Sequence, residues 1–140
     1  RNNMAIQFNV ATRNARLDTI ESTNSTSCSL EIRSGSAPAT CATAGTGTIL
    51  STINLPSDWM AAASSGAKAY NATWQDADMD NTGTAAHFRV YNSQATKDNT
   101  TCFMQGTVGV GTGDLQVNST SFAPGGTFTI TQFTLTDGNA

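Results

Sequence analysis

Apolar and polar residues alternate along the C-terminal third of the chain. In the run FTITQFTL, Phe128 and Ile130 fall on one side of an extended backbone, and Phe133 and Leu135 fall on the other. Successive side chains of a strand point to opposite faces, and Thr, Phe and Ile favour strands, so this run predicts a β-strand. Because both predicted faces carry large apolar groups, we expect a central strand in a two-layer stack.

The same alternation recurs in shorter runs that are separated by polar or glycine-rich turns. These runs are CSLEIRS (28–34), TILSTINL (48–55), AKAYNATW (67–74), AHFRVYN (86–92) and the segments that begin at Thr101. In the runs 28–34 and 86–92, the polar or aromatic members should lie on the face opposite the core-facing apolar side chains. These members are Ser29, Glu31, Arg33, His87, Arg89 and Tyr91. Roughly seven or eight short strands at this spacing predict an all-β fold, an antiparallel β-sandwich of the jelly-roll or immunoglobulin-like kind.

One helix is predicted near the N-terminus, at about residues 10–23. Val10, Arg13, Leu17 and Ile20 recur at helical spacing on one face, and Asn9 is a suitable N-cap. We therefore expect an N-terminal arm over residues 1–9 and a single β-sandwich domain with this helix over residues 10–140. The helix is only moderately amphipathic, so it should lie at the edge of the sandwich or on a neighbouring subunit.

Two loops stand out because they are rich in small residues. The segment GSAPATCATAGTG (35–47) has no periodicity, and a loop of this length in a compact domain is usually functional or contacts a partner. The segment VGVGTGD (108–114) lies between predicted strands and lacks the lysine of a phosphate-binding loop, which predicts a hairpin turn.

The charge and hydropathy of the sequence argue against a nucleic-acid partner and against a membrane-spanning segment. Charged residues are 12% of the 140 residues and the formal net charge is −3, so the chain lacks the clustered Lys and Arg of a nucleic-acid interface. No apolar run approaches the roughly 20 residues that span a bilayer, and no signal peptide is visible. We expect translation to begin at Met4, with residues 1–3 left over from protein production, from processing or from how the chain was read.

The three cysteines do not form a disulfide framework, because their number is odd. Free thiols in a reducing cytoplasm are the simpler interpretation. The alternative is one internal bond plus a free thiol, or a cross-link between subunits after release into an oxidising medium. Cys28, Cys41 and Cys102 are therefore candidate cross-link thiols, and without a C-x-x-C pair we expect no zinc site.

Catalytic and metal-binding motifs are weak. The run DADMDNTG (76–83) opens like a calcium loop, but Asn81 stands where such a loop needs glycine and His87 where it needs glutamate. A solvated acidic turn is the better interpretation. His87 is the sole histidine and no G-x-S-x-G motif is present, so we expect neither an enzyme nor a bound cofactor or metal.

Aromatic residues offer two interpretations. Trp59, Trp74, Tyr70 and Tyr91 match a platform for sugar rings, but a chain with few large apolar residues is expected to use its tryptophans in the core or at subunit contacts. We prefer the second interpretation. The candidate interface residues are Phe8, Arg13, Leu17, Trp59, Trp74 and Tyr91.

Several segments together resemble one family. They are MAIQFNVATRNARLDTIE from Met4, INLPSDWMAAASSGAKAYNATWQD, TGTAAHFRVYN, TTCFMQGTVGVGTGDLQVN and FTITQFTLTDGNA. This set is similar to short virion structural proteins encoded by tailed bacteriophages and prophages. The resemblance covers the chain from Met4 to Ala140 and is most specific in LPSDWMAAA, in the TWQD turn and in the closing FTLT-x-GNA.

The resemblance implies a structural role in the virion and no catalytic residues. A capsid decoration or cement protein fits best: a homo-oligomer, such as a trimer, that binds the major capsid protein across its subunit joints on the capsid surface. Such a protein would assemble in the host bacterial cytoplasm. The alternative is a head-fibre or tail component, or a receptor-binding module with affinity for glycans.

Overall fold

The computed structural model describes residues 6–138, and these residues form one helix and ten strands. The elements are α1 (Val10–Ser22), β1 (Ser29–Arg33), β2 (Ile49–Asn54), β3 (Ala67–Ala69), β4 (Gln75–Asp76), β5 (Gly83–Thr84), β6 (His87–Tyr91), β7 (Cys102–Gly109), β8 (Leu115–Val117), β9 (Ser121–Phe122) and β10 (Phe128–Thr136). The fold is mostly β with one short helix, as predicted. Met4 and the first part of the predicted arm lie outside the described residues.

Helix α1 begins at an N-cap that the sequence pattern identified. The side chain of Asn9 accepts a hydrogen bond from the Thr12 amide at 2.8 Å, while Asn9 itself is extended with ψ 165°. This bond satisfies one of the amides that the first turn leaves free. The helix ends at Thr23, whose amide donates to the Thr19 carbonyl at 2.9 Å.

The strands form one curled sheet of eight strands and a small pair. The order in the large sheet is β2-β1-β6-β7-β8-β10-β3, with β4 also paired to β10, and β5 pairs with β9. All of these pairings are antiparallel except that of β7 with β8. The sheet is therefore mixed, and the prediction of a purely antiparallel arrangement is wrong at this pair.

The parallel pair depends on the glycine-rich turn after β7. Asp114 accepts hydrogen bonds from the amide and the hydroxyl of Thr107 at 2.9 and 2.8 Å, which closes the turn on itself. Gly111 and Gly113 adopt positive φ of 65° and 84°, a conformation open to glycine but costly for other residues. The chain thus loops back alongside the end of β7, and the predicted hairpin is wrong.

A bulge in β10 places the apolar residues of both predicted faces on one face. The register shifts between Ile130 and Gln132, so that Ile130 pairs with Val117 while Phe133 pairs with Leu115. Directly paired residues share a face, and Leu115 and Val117 share theirs because they are two residues apart. The extra residue, Thr131, therefore turns Phe133 toward the core. The predicted two-sided strand is wrong for this reason.

The sheet curls until distant strands touch across the core. Phe88 on β6 and Phe133 on β10 have ring centroids 5.7 Å apart. Three strand spacings separate β6 from β10 in the sheet order, which is about 14 Å in a flat sheet. Trp74, fully buried, packs its ring 5.6 Å from Phe133, and Trp59 lies 6.3 Å from Trp74. The core therefore fills the inside of the curl.

The segment after β4 covers the free edge of β2. The amide of Asp80 donates to the Leu50 carbonyl at 2.9 Å, and the Asn81 side chain donates to the Ile49 carbonyl at 2.8 Å. The hydroxyl of Ser51 on β2 also donates to Asp76 on β4. These bonds join the two ends of the curled sheet and occupy an edge that would otherwise offer unpaired backbone groups.

Deletion of Thr131 tests the role of the bulge. Without the extra residue, Phe133 and Leu135 should turn away from the core, because a one-residue shift moves every following side chain to the other face. We expect the deletion to lower the free energy of unfolding by about 3–5 kcal/mol or more, the size of a buried Phe→Ala change. Urea unfolding followed by circular dichroism measures this.

Thr131→Ala is the matched control, since it keeps the residue count at an exposed position. We expect it to change stability by about 1 kcal/mol or less. A deletion variant as stable as Thr131→Ala would contradict the assigned role of the bulge.

Candidate functional site

The loop between β1 and β2 lies over the sheet face that alternation predicts to be polar. Glu31, His87 and Arg89, all predicted to lie opposite the core-facing side chains, are 2%, 1% and 0% exposed. All five residues of β1 and all five of β6 are buried. The sheet is therefore covered on both faces here, and a period-two pattern cannot reveal this because the cover comes from a segment without periodicity.

A buried carboxylate lies at the centre of this covered face. Glu31 accepts hydrogen bonds from Arg33 at 2.9 and 2.8 Å and from the Tyr91 hydroxyl at 2.8 Å. Burial raises the pKa of Tyr91, and the bond to Glu31 raises it further, so the phenol stays protonated and donates. The charge of Glu31 is thus matched and hydrogen-bonded, as a charge removed from water must be.

Side chains of β6 and β7 hold the loop through its carbonyl groups. Arg89 donates to the carbonyls of Thr43 and Cys41 at 2.9 and 2.7 Å. Gln105 donates to the Pro38 carbonyl at 2.7 Å. The long loop therefore has a structural role within its own chain, because it covers these polar side chains and accepts their hydrogen bonds.

His87 is a packing residue of the same region. Its Nδ1 lies 2.8 Å from the Gly35 carbonyl, which requires a proton on that nitrogen, and its Nε2 is buried with no hydrogen-bond partner among the described residues. Burial lowers the pKa of His87, with the nearby Arg33 and Arg89 acting in the same direction. The neutral ring thereby joins β6 to the start of the loop at Gly35.

The acidic turn 76–80 serves the fold. The Asp76 carboxylate accepts from the Ser51 hydroxyl and, at 2.9 Å, from the Asp78 amide. Partial burial raises the pKa of Asp80, and the negative charges of Asp76 and Asp78 raise it further. Within residues 6–138 no three metal-binding side chains are grouped, and the turn closes the sheet instead.

A polar stripe attaches helix α1 to the rest of the chain. Asn14, Asp18 and Glu21 recur at helical spacing, and their side chains accept hydrogen bonds at 2.8, 2.9 and 3.1 Å from amides of the segment 60–66. The helix face predicted from the sequence is the neighbouring one that contains Leu17, and the polar stripe is a finding of the structure. Its signal was present as three carboxylate or amide side chains spaced by four and three residues.

Lys68 completes the attachment as a buried cation. Its ammonium lies 2.8 Å from Asp18, 3.1 Å from Glu21 and 2.9 Å from the Ala61 carbonyl, and the residue is 2% exposed. The hydrogen bond to Lys68 lowers the pKa of Asp18. The two carboxylates raise the pKa of Lys68 and outweigh the opposing effect of its burial.

The six candidate interface residues separate into two groups. Leu17, Trp59, Trp74 and Tyr91 are 5%, 0%, 0% and 1% exposed, so these four belong to the core and offer no surface to a partner. Phe8 is 41% exposed. Arg13 is half-buried and donates to the Ser65 carbonyl at 3.4 Å. The large aromatic side chains were attractive as interface anchors, but a chain this poor in them uses them to fill its core.

The N-terminal apolar patch, which we define as Ile6, Phe8 and Val10, is the main exposed apolar feature. These side chains are 80%, 41% and 49% exposed, and Val110 at 56% is the other large exposed hydrophobic among the described residues. The guanidinium of Arg16 lies 5.0 Å from the Phe8 ring centroid. The same arginine forms an ion pair with Asp137 at 3.3 Å, so the patch is adjacent to the C-terminal end of the fold.

A shallow groove of about 270 Å³ adjoins this patch. It is lined by Arg16, Leu17, Ile20, Thr136, Asp137 and Gly138. The alternation of Ile6, Phe8 and Val10 just before the N-cap was a readable signal for an extended apolar segment. Of these three residues, only Phe8 is among the candidate interface residues predicted from the sequence.

Comparison with known proteins does not place the chain in a family. No protein-family model, curated protein or solved structure matches it. Within the part of the chain that the structure describes, no helix has the length and apolar character needed to cross a membrane. The resemblance to bacteriophage virion proteins therefore stays a prediction.

Replacing Lys68 by Met tests the attachment of α1. The variant removes the cation but keeps the length of the side chain, leaving Asp18 and Glu21 unmatched. Because both carboxylates remain partly exposed, we expect a loss of about 1–3 kcal/mol in the free energy of unfolding at neutral pH.

The stability that the ion pair of Asp18 and Lys68 contributes depends on pH. The lowered pKa of Asp18 contributes stability that is present above its ordinary value of 3.8 and is lost as pH falls through the lower folded value. The raised pKa of Lys68 contributes stability below its ordinary value of 10.5, lost as pH rises through the higher folded value. The difference between wild type and Lys68→Met should therefore shrink at both extremes of a chemical-denaturation series.

Lys97→Met is the control, since Lys97 is half-exposed and donates to the Gln94 carbonyl at 2.8 Å. If Lys68→Met matched Lys97→Met in stability across the pH series, the ion cluster would not hold the helix.

Proposed function

We propose that this chain is a bacteriophage virion structural protein, a capsid decoration (cement) protein that stabilises the head through contacts between subunits. The observation that carries the proposal is the N-terminal apolar patch. Three of the four large exposed hydrophobic residues within 6–138 lie in this one short segment. Exposed apolar groups that are clustered mark surfaces that bind other proteins.

The attachment of α1 supports a docking role for the patch. The helix that follows the patch is capped by Asn9 and held by buried Lys68, so the segment leaves the fold from a fixed position. A fixed starting point reduces the conformational entropy that a docking segment loses on binding. We propose that the N-terminal apolar patch binds the major capsid protein. The chain itself would form a homo-oligomer, such as a trimer, through other contacts between its copies.

The burial of the tryptophans favours decoration over the glycan-binding alternative. Trp59 and Trp74 are both 0% exposed, so neither presents a ring face to a sugar. Tyr70 is half-buried, and it packs edge-on against Trp74 at 5.5 Å. A head-fibre, tail or receptor-binding role would therefore need a different recognition surface from the aromatic platform.

The architecture suits a mechanical role on the capsid surface. We interpret the two halves of the curled sheet, which meet at Phe88 and Phe133, as the layers of the predicted jelly-roll or immunoglobulin-like sandwich. The edge of β2 is covered by the segment after β4, which limits unwanted strand pairing between crowded copies. Many modest contacts repeated over a shell then add up through avidity.

Copy number in purified particles is the direct test of the virion position. We expect hundreds of copies, near parity with the major capsid protein, because a cement protein acts at every subunit joint. Quantitative mass spectrometry against the shell protein measures the ratio. A dozen copies or fewer would overturn the decoration role and favour the portal, tail or fibre positions.

Substitution of the patch tests the docking element. The double variant Ile6→Ser/Phe8→Ser should bind capsids lacking the decoration protein at least about tenfold more weakly, since each large apolar side chain buried on binding contributes about 1.5–3 kcal/mol. Within the free protein, the Phe8 substitution removes the contact with Arg16, which is worth about 0.5–1 kcal/mol, and urea unfolding of the variant measures the total loss of stability.

Val110→Ser is the matched control, since it removes the fourth exposed hydrophobic residue from a different segment. Equal loss of capsid binding by the control and the double variant would contradict a specific role for the N-terminal apolar patch.

A further inference from the structure

The three thiols have different surroundings. Cys28 is fully buried and donates to the Ser25 carbonyl at 2.9 Å. Burial raises the pKa of Cys28 to about 11, which makes its reactive thiolate rare at neutral pH. Cys41 and Cys102 are only half-buried, and burial and then the nearby Cys102 raise the pKa of Cys41.

Arg89 brings these two cysteines together. Its Nε donates to the sulfur of Cys102 at 3.2 Å, and its Nη2 donates to the carbonyl of Cys41 at 2.7 Å. Nε–H and Nη2–H form one edge of the planar guanidinium fork, so a single rigid group contacts both cysteines. Arg89 is itself 0% exposed, which leaves the arrangement little freedom.

The backbone around the pair permits closer approach. Cys102 is the first residue of β7, where the pairing with β6 shifts register next to Tyr91. Cys41 lies in the irregular loop between β1 and β2. A disulfide needs specific Cα separation and side-chain direction, and a loop residue adjusts its position more readily than a residue inside a strand.

We propose that Cys41 and Cys102 are an intramolecular redox pair, which forms a disulfide in an oxidising medium and locks the loop 35–48 onto β7 while Cys28 stays a thiol. The inference rests on the contacts that Arg89 makes with both cysteines and is independent of the proposed virion role. The bond would link residues about 60 positions apart, so it would restrict the unfolded chain strongly. It would also fix the cover over the buried charges of Glu31 and Arg89.

The chemistry is a thiol–disulfide exchange with a small disulfide such as oxidised glutathione. One cysteine loses its proton, and its thiolate attacks the glutathione disulfide, releasing one glutathione thiolate and forming a mixed disulfide. The second cysteine, likewise deprotonated, attacks the protein sulfur of that mixed disulfide and displaces the other glutathione. The protein pair loses two electrons and two protons, and oxidised glutathione becomes two reduced molecules.

Tryptic mapping can assign the bond, because cleavage at Arg33, Lys68 and Lys97 places the cysteines in different peptides: 17–33, 34–68 and 98–140. The full chain is purified reduced, incubated with oxidised glutathione, alkylated and digested without reductant. We expect peptide 34–68 linked to 98–140 in most chains, with Cys28 alkylated. We also expect an oxidised Tm on the order of 10 °C above the reduced Tm.

Two variants make the result decisive. Cys28→Ser should keep both the linked peptide and the Tm difference, whereas Cys41→Ser should lose both and match the reduced wild type in circular dichroism. Three outcomes would overturn the proposal: no linked peptide, a link that includes Cys28, or a covalent dimer as the main product on a non-reducing gel. A linked peptide without a rise in Tm would overturn the locking of the loop.

Discussion

The buried guanidinium of Arg89 is the constraint on which much of this structure depends. An unmatched charge at 0% exposure would cost several kcal/mol, so the loop carbonyls that solvate it must remain in place. Those carbonyls belong to Cys41 and Thr43, at the centre of a loop that has no periodic secondary structure. Holding them in place also covers Glu31 and Tyr91. One cation therefore orders the loop, keeps the second face of the sheet covered and contacts both Cys41 and Cys102.

The molecule places several of its few charges inside. Arg33, Lys68 and Arg89 are buried, although the chain has only seven basic residues. Each is satisfied by carboxylates or backbone carbonyls, and each joins an irregular segment or the helix to the sheet. Removing these charges from the surface leaves it dominated by short polar side chains, around the N-terminal apolar patch. Such a surface suits wide contacts in which backbone and short side chains dominate, as the proposed role in the virion requires.

Prediction succeeded where a local pattern determined the outcome and failed where a distant segment did. Alternation located the strands around Leu30, Phe88 and Phe128 because the side-chain period of a strand is a property of the backbone alone. It assigned Glu31 and Arg89 to the face opposite the core, and could not know that the loop 35–48 covers that face. Among the candidate interface residues, Phe8 belongs to the predicted N-terminal arm and is 41% exposed, while its role in an interface stays a prediction. Trp59 and Trp74 were ambiguous from the sequence, since a tryptophan fits a core and an interface equally well.

By itself the sequence determined the β-rich class and the start of the helix at Asn9, because propensity and capping act over a few residues. Tertiary structure alone decided the bulge at Thr131, the curl that joins Phe88 to Phe133, and the meeting of Cys41 with Cys102. Each of these depends on which segments become neighbours after folding. The free energy that selects them comes from burial and from satisfying buried polar groups, and both are properties of long-range contacts.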